Sequence, residues 1–372
     1  GRVSYSESVA PPRESAPMNL LDRYIIVAVL KGVSVVIGVL LAVGIFIELI
    51  GQLDDIGNGN YGLSTALTYT ALRIPRLAFQ VLPAAALVGA LLSLGNFAVH
   101  RELVVMRVSG ISRFRLSFSV GLAGIILMVV TGLLGESVAP SLSAYAREFR
   151  AQALHDDLNL SDGQSTWLKD GDHILNLRRQ PDAASFGGVY LFELGPDRKL
   201  LQVASADTAE IDSDNRWVLG NYSETIFLDQ SVQINNARES IRSYNLSPDV
   251  LGLSVVRHDL LDMPGLRRYI QYLNNNELDA DRYLIAYWVR VASIISVFFM
   301  TILALPFVLG GLRSTGAGAR MLVGLMIGLS YYVAAQVFAN SGEVFGVDPR
   351  VVAGLPIGAL ILITVGAMTR VR

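Results

Sequence analysis

Long apolar runs alternate with short polar segments over most of the sequence. Five of these runs contain no charged residue and have the length of roughly 20 residues that a helix needs to cross a hydrocarbon layer about 30 Å thick. A sixth run, 32–47, is shorter, but Lys31 can extend it because a lysine side chain reaches from a helix end to the head groups. The pattern predicts six transmembrane helices, with the five longer runs at 77–99, 116–134, 291–312, 321–340 and 351–369.

The residues between the third and fourth runs follow a different period. Apolar and polar residues alternate there in several short segments, which Gly, Pro, Asp and Asn separate, as is typical of β-strands in a sandwich or jelly-roll domain. The segment that follows, MPGLRRYIQYLNNNELDADRYL, indicates one or two amphipathic helices that lead back to the membrane. The strand-like segments are WLKDGDHILNLRR, GGVYLFEL, KLLQVASADTAEID, RWVLGNYSETIFL and VQINNARESIRSYNL.

These patterns predict a helical membrane protein with six transmembrane helices and an inserted all-β jelly-roll domain. Residues 1–17 are polar and rich in Pro and Ser, so they are interpreted as a disordered tail or a cloning remnant. Residues 18–140 hold the first three spans, 141–265 the β domain and 266–372 the last three spans.

Composition and charge support a membrane location and predict an orientation. The chain is 52% hydrophobic and 17% charged, with a mean hydropathy of +0.45, well outside the usual soluble range. Short loops rich in arginine stay in the cytoplasm, which puts both termini there and the β domain outside, in the periplasm of a bacterium with two membranes. The arginines are Arg101, Arg107, Arg113 and Arg115 after the second span, Arg313 and Arg320 after the fourth, and Arg370 and Arg372 at the end.

The sequence offers little for catalysis or for ATP binding. It has no cysteine, and its four histidines lack the spacing of a metal site. None of the three lysines stands in a GK[ST] motif, so a P-loop is excluded. Ser165 and Thr166 lie near Lys169, as in a Ser–Lys dyad, but such residues in an outer strand are usually surface. We therefore expect no catalytic residue, metal site or cofactor in this chain. Two alternative functions stay open at this point, those of a membrane-embedded protease and of a scaffold subunit in a membrane export system.

The segment RELVVMRVSG, 101–110, lies between the second and third spans and fits a short amphipathic helix within about 98–112. Neither Arg101 nor Glu102 has a partner of opposite sign at helical spacing. Such a helix suits docking into another protein, and it equally suits a position on the membrane surface, with its arginines near anionic lipid. Periodicity alone leaves these two alternatives open.

Several segments in the same order resemble the LptF/LptG family of lipopolysaccharide-export permeases, from about Leu20 to the end of the chain. The start LDRYI and the loop LRSTGAGAR favour the LptG branch of the family. The segments are LLDRYI (20–25), LPAAALVGALLSLG (82–95), RELVVMRVSG (101–110), GESVAP (135–140), STWLKDG (165–171), LRSTGAGAR (312–320) and YYVAAQVF (331–338).

The resemblance implies an ABC transporter of the inner membrane, which extracts lipopolysaccharide and passes it to a periplasmic jelly-roll bridge toward the outer membrane. Its implied partners are LptF, two copies of the ATPase LptB, which binds the ATP and Mg²⁺, and LptC beside the first span. The loop helix becomes the coupling helix, which favours docking over the membrane surface. Its implied ATPase contacts are Arg101, Glu102, Leu103, Met106, Arg107 and Gly110.

A cavity for lipid A needs apolar walls and cations at the level of the phosphates on the periplasmic side. Arginines near the ends of the second and third spans are at that depth. The matching end of the first span is acidic, with Glu48, Asp54 and Asp55, although relatives often carry lysines there. We therefore expect the arginines or LptF, rather than a bridging divalent cation, to bind phosphate. The arginines are Arg73, Arg76, Arg147 and Arg150.

Overall fold

Nine α-helices and six β-strands form the part of the chain that the computed structural model describes. The described residues are 20–154, 165–179, 185–195, 197, 199–212, 216–228, 230–242, 261–310 and 316–370. The predicted tail at 1–17, Arg313, Arg372 and the side chains of Ser165 and Thr166 lie outside this description.

The helices fall on both sides of the β-strands in the sequence. A short 3₁₀ helix, Leu53–Asp55, follows the first helix, and a π-helix, Leu134–Val138, joins the fourth to the fifth without a break. The helices are α1 (Leu20–Ile50), α2 (Leu63–Val99), α3 (Glu102–Val108), α4 (Arg113–Leu133), α5 (Ala139–Leu154), α6 (Met263–Asn275), α7 (Asp281–Leu309), α8 (Ala317–Phe345) and α9 (Pro349–Arg370).

Among the described residues, six helical segments are long and apolar enough to cross a membrane, in agreement with the predicted number of spans. They are α1, α2, the continuous helix α4–α5, α7, α8 and α9. All six are longer than the apolar runs from which they were predicted, and α1 and the helix that begins at Arg113 exceed their runs most. Lys31 lies inside α1 with an exposed side chain, so its charge does not end the helix. The helix that begins at Arg113 continues to Leu154, well past the predicted end of the third span.

Helix α2 lies at the centre of the helical domain and packs against α1, α5, α7 and α8. Its middle is rich in small residues, and Ala85, Ala86 and Ala90 are fully buried. Small residues allow close approach of neighbouring helices, and α1 uses this at Gly89, where the backbone of Val33 lies directly against the glycine. One end of this domain holds the loop between α1 and α2, the junction of α4 with α5, and the loop between α6 and α7; it is called the β-domain end. Helix α3 lies at the opposite end, which is called the α3 end.

The described strands of the β domain form one six-stranded antiparallel sheet, in which each strand pairs with its neighbour in sequence. The five strand-like segments give six strands because WLKDGDHILNLRR contains a hairpin, with Gly171 in a left-handed turn (φ 58°) between Asp170 and His173. The prediction of an inserted β domain is confirmed. The strands are β1 (Ser165–Asp170), β2 (His173–Arg179), β3 (Ser185–Leu194), β4 (Leu200–Ile211), β5 (Trp217–Leu228) and β6 (Ser231–Arg242).

The sheet curls on itself and packs against α6. His173 at the start of β2 and Arg242 at the end of β6 line the same cavity of about 340 Å³. On the buried face of the sheet, Trp217 belongs to one apolar cluster with Leu266 and Tyr269 of α6. The apolar core of the β domain therefore continues into α6, and the predicted boundary at 265 falls inside this helix.

Three hydrogen bonds between Lys169 of β1 and residues at the end of α6 hold the sheet against this helix. The backbone N–H of Lys169 donates to the Tyr272 hydroxyl (3.1 Å), and that hydroxyl donates to the Lys169 carbonyl (2.8 Å). Its ammonium group donates to the carbonyl of Asn276 (3.0 Å). These contacts give Lys169 a structural role, which weakens the alternative of a Ser–Lys dyad.

Glu224 of β5 is the centre of a hydrogen-bond cluster on the sheet. Its carboxylate accepts from Asn235 (3.0 Å), Tyr222 (2.8 Å), Gln202 (2.9 Å) and Arg242 (3.1 Å). The hydrogen bond from Asn235, followed by that from Tyr222 and the charge of Arg242, lowers the pKa of Glu224 below its ordinary value of 4.5, although partial burial opposes the shift.

A carboxylate with a lowered pKa stabilises the folded state above its ordinary pKa, and the stabilisation is lost as the pH falls through the folded value. We expect Glu224→Gln to cost about 1–2 kcal/mol at neutral pH and little once the pH is below the folded pKa of Glu224. Thermal unfolding of the full chain in detergent across this range measures the difference. Glu210→Gln, at an exposed position on β4, is the control; equal pH dependence of the two variants would contradict the assignment.

Candidate functional site

Helix α3 is short and begins abruptly after α2. Arg101 has a left-handed backbone (φ 59°), which turns the chain between the two helices. Leu103 is buried in the core of the helical domain, and Met106 packs partly against that core. The opposite side of α3 is open, with Val105 63% and Val108 83% exposed. An exposed apolar surface next to arginines is typical of a docking surface.

Glu102 of α3 contacts the start of α1. The Tyr24 hydroxyl donates to Oε2 of Glu102 (3.0 Å), and the Tyr24 ring stacks on Phe97 at the end of α2, with 5.2 Å between ring centroids. Tyr24 therefore connects α3, α1 and α2. The sequence did not reveal this contact because Tyr24 and Glu102 are 78 residues apart, and helical spacing only tests neighbours on the same helix.

Asp22 connects the start of α1 to the start of α4. Its side chain is only 4% exposed, and its carboxylate accepts two hydrogen bonds from the Arg115 guanidinium (2.7 and 3.3 Å) and one from the Ser119 hydroxyl (2.6 Å). A bidentate arginine contact fixes both distance and orientation. The start of α1 is thus held at two points: Tyr24 contacts Glu102 of α3, and Asp22 contacts Arg115 of α4. Sequence reasoning missed Asp22, although a carboxylate just before the apolar segment IIVAVL, 25–30, was a signal.

The predicted ATPase contacts divide into two groups in the structure. Leu103 and Met106 face the chain's own core, where they support α3 from behind. The other four lie on the surface or half exposed, and their contact role stays a prediction. These four residues are Arg101, Glu102, Arg107 and Gly110. A groove of about 350 Å³ runs beside α3, lined also by Val308 and Leu309 of α7.

A larger cavity, of about 500 Å³, lies in the half of the helical domain next to the β domain. Parts of α1, α2, α7 and α8 form its walls. Its lining is mainly apolar, and among its polar groups are Glu48 of α1, Gln80 of α2, and Tyr332 and Gln336 of α8. An apolar cavity with a few polar groups is typical of a ligand site, and one between transmembrane helices suits an amphiphile.

Two ion pairs lie at the β-domain end of this region. The Arg73 guanidinium on α2 pairs with Glu48 of α1, and the Arg150 guanidinium on α5 pairs with Asp55 of the 3₁₀ helix. Both arginines lie near the Tyr69 ring, with centroid distances of 5.6 Å to Arg73 Cζ and 5.7 Å to Arg150 Cζ. Two of the predicted lipid-binding arginines are thus brought together, each with a carboxylate from the acidic end of α1 or its following loop.

The other two predicted arginines, Arg76 and Arg147, are half-buried at the same end of the helical domain. The four arginines come from only two elements, α2 and α5, which pack against each other. The structure therefore groups the residues that the sequence could only place at a common depth. Their role in lipid binding stays a prediction.

Glu136, in the π-helix, joins the helical domain to the segment that returns from the β domain. Its carboxylate accepts from the backbone N–H of Met263 (2.8 Å), at the start of α6. Arg290 of α7 lies 3.7 Å from the other carboxylate oxygen and donates to the carbonyl of Leu261 (2.6 Å). π-helices often mark functional positions. The segment GESVAP was part of the family resemblance read from the sequence, but it indicated neither the π-helix nor the contacts of Glu136.

With this geometry in view, the sequence can be compared with known proteins. The family described as "Lipopolysaccharide export system permease LptF/LptG" matches residues 23–370. The chain belongs to the LptF/LptG family. The match includes all six membrane-spanning segments and the inserted sheet, so membership extends to both domains.

Relatives of both named branches of the LptF/LptG family match nearly the whole chain. The lipopolysaccharide export system permease protein LptG of Escherichia coli K12 is 34% identical over 95% of this chain and 99% of its own length. LptG of Haemophilus influenzae is 32% identical over 89% of this chain and 92% of its own length. LptF of E. coli K12 is 21% identical over 89% of each chain. The higher identities to LptG agree with the branch predicted from LDRYI and LRS.

Proposed function

We propose that this chain is a permease subunit of an exporter that removes lipopolysaccharide from the periplasmic leaflet of the bacterial inner membrane. The observation that carries the proposal is the 500 Å³ apolar cavity between α1, α2, α7 and α8, whose lining includes Glu48, the ion-pair partner of Arg73. The acyl chains of lipid A would lie in the cavity, where burial of their methylene groups is favourable. The phosphates would lie at the level of the arginines.

Energy for export would come from a partner subunit. We propose two copies of the ATPase LptB, which bind ATP and Mg²⁺, and LptF as the second permease; this chain would hold no cofactor of its own. Helix α3 would be the coupling helix. Its exposed Val105 and Val108, beside Arg107, provide an apolar and basic surface for docking. The support of α3 by a buried Leu103 favours docking over a helix that merely lies on lipid.

Force on α3 would reach α1 through the contacts at the α3 end. Tyr24 joins α1 to Glu102, and Asp22 joins α1 to Arg115. Helix α1 extends from these contacts to Glu48 at the cavity. A displacement of α3 would therefore be transmitted along α1 to the cavity wall. This gives a mechanical route from closure of the ATPase on binding ATP to expulsion of the lipid.

The proposed orientation puts both termini and the α3 end in the cytoplasm and the β domain in the periplasm. The short segment between α2 and α4 carries Arg101 and Arg107, and α4 begins at Arg113, whereas the loop between α1 and α2 at the β-domain end, 51–62, has no Lys or Arg. This difference supports the assignment. The curled sheet would accept lipid from the cavity and pass it toward a neighbouring jelly-roll domain. LptC is the proposed neighbour beside α1.

Photocrosslinking tests the proposed cavity. A photoreactive residue at Leu329, which lines the cavity and is 52% exposed, should crosslink lipopolysaccharide in membranes that contain the complete transporter. The same residue at Leu362, on α9 and 75% exposed, is the matched control, because both positions are open and apolar. We expect several-fold more lipopolysaccharide at Leu329; equal yields at the two positions would contradict the assignment.

The same experiment separates the proposal from its alternatives. A scaffold subunit of another lipid-export system would give no preference for lipopolysaccharide over phospholipid at Leu329. A membrane-embedded protease would give none either, and its nucleophile would have to be found elsewhere, since Lys169 is engaged with Asn276.

A further inference from the structure

The two ion pairs at the β-domain end join elements that are far apart in sequence. Glu48 comes from α1 and Asp55 from the loop after it, whereas their arginines come from α2 and α5. The loop is held on α5 by a second contact, in which the N–H of Asn60 donates to the carbonyl of Ala153 (2.8 Å). The pairs therefore hold the end of α1 and its loop against the rest of the helical domain.

Each of these pairs is partly shielded from water. The side chains of Glu48 and Arg73 are 15% and 24% exposed, and those of Asp55 and Arg150 are 25% and 36% exposed. Arginine at this level of exposure remains reachable for a second anion, and its planar guanidinium binds carboxylate and phosphate in the same way. A carboxylate in this position therefore occupies a site that also fits a phosphate oxygen.

Glu48 places this site at the cavity. It is paired with Arg73 and also lines the apolar cavity. An amphiphile whose acyl chains fill the cavity would bring its head group to the atoms that Glu48 now occupies. The Cζ atoms of Arg73 and Arg150 lie 5.6 Å and 5.7 Å from the centroid of the same Tyr69 ring, so a head group with two anionic groups would reach both arginines.

We propose that Glu48 and Asp55 are internal counter-ions, which occupy the two phosphate subsites of the cavity until the phosphates of a bound lipid displace them. This inference rests on the proposed function. A phosphate monoester carries a charge of about −1.5 to −2 and three acceptor oxygens, so it competes well against a single carboxylate. A lipid without phosphates cannot replace the carboxylates and leaves both pairs intact. Displacement also removes the two ion pairs that hold the end of α1 and its loop against α2 and α5, and it leaves the backbone contact between Asn60 and Ala153 in place.

The double variant Glu48→Gln, Asp55→Asn tests the proposal, since amides of equal size remove the competing charges. Binding is measured with the complete transporter in nanodiscs, for bis-phosphorylated lipid A and for the same lipid without phosphates. The preference for the phosphorylated lipid should rise about tenfold, since two partly exposed ion pairs no longer compete. The single variant Glu48→Gln should give a smaller rise in the same direction and serves if the double variant assembles poorly.

Asp54→Asn is the matched control, because Asp54 is an exposed acid next to Asp55 in the same loop. An unchanged preference in the double variant, or an equal rise with Asp54→Asn, would overturn the proposal. Inorganic phosphate should compete weakly for the double variant because it cannot fill the cavity; competition as strong as that of lipid A would mean that the subsites take free phosphate, which also overturns it. If the wild-type transporter binds neither lipid, the proposed function itself fails.

Discussion

Lysine in place of Glu102 should abolish most lipopolysaccharide export while leaving the chain folded. Glu102 lies at the first turn of α3, where a carboxylate is favourable for the helix, and it accepts the hydrogen bond of Tyr24. The reversed charge removes that hydrogen bond and places a cation next to Arg101, on the surface proposed to dock with the ATPase. Loss of a hydrogen-bonded charge at a docked interface costs about 2–5 kcal/mol, or more than a tenfold weakening of the contact.

Export and ATP hydrolysis are both measured with the reconstituted transporter. We expect Glu102→Lys to lower release of lipopolysaccharide by at least about tenfold and to weaken co-purification of the ATPase. Glu210→Lys, the same substitution at an exposed position of the β domain, is the control and should retain export. Normal export by Glu102→Lys would show that α3 does not couple the two subunits.

Glu102 has two proposed functions, docking with the ATPase and transmission of force to α1, and Tyr24→Phe separates them. It removes only the hydroxyl that donates to Glu102 and keeps the ring that stacks on Phe97. If α3 transmits force through α1, this variant should bind the ATPase normally and export more slowly.

The number of spans was predictable from the sequence because the membrane imposes it. A helix in lipid must be long and apolar, and these properties are local. The β domain was predictable for a similar reason, since strand alternation and turn residues such as Gly171 are read within a few positions. What joins the elements was not predictable. Asp22 and Arg115 are 93 residues apart, and nothing in their local sequence indicates that they meet.

The acidic end of α1 shows the same limit at the candidate site. Glu48, Asp54 and Asp55 were interpreted as a departure that moves phosphate recognition to the arginines or to LptF, and this stays a prediction. The structure adds that Glu48 and Asp55 pair with two of the same arginines, Arg73 and Arg150. Charge and depth could be read from the sequence, but the pairing depends on how α1, α2 and α5 pack.

Small residues at four-residue spacing in transmembrane helices permit close helix contacts, and the structure shows which of these positions make them. Gly89 meets α1, and Gly324 and Gly328 of α8 meet α2. Gly38, Gly354 and Gly358 have nothing within 4 Å of an added Cβ. A small residue at four-residue spacing permits a contact but does not specify a partner, so the same pattern occurs in packed and in open positions.

Leucine in place of Gly89 should separate α1 from α2 and prevent assembly of a functional transporter. A Cβ at this position would lie 2.5 Å from both Cα and N of Val33. The obstacle is backbone, so no side-chain rotation relieves it, and the two helices must move apart. Overpacking of this kind costs about 1–3 kcal/mol, and occasionally more. The loss extends to the contact from the Ser93 hydroxyl to the carbonyl of Ala28 (2.8 Å), one turn away on the same interface.

Gly38→Leu is the matched control, because Gly38 lies on α1 and an added Cβ there meets nothing within 4 Å. Both substitutions raise helix propensity by a similar amount, about 1 kcal/mol, so the difference between them isolates helix packing. In detergent we expect Gly89→Leu to unfold several degrees below the wild type and Gly38→Leu to match it. Equal unfolding temperatures for the two variants would mean that α1 does not depend on this contact. The position of α1 then could not carry force from α3 to the cavity.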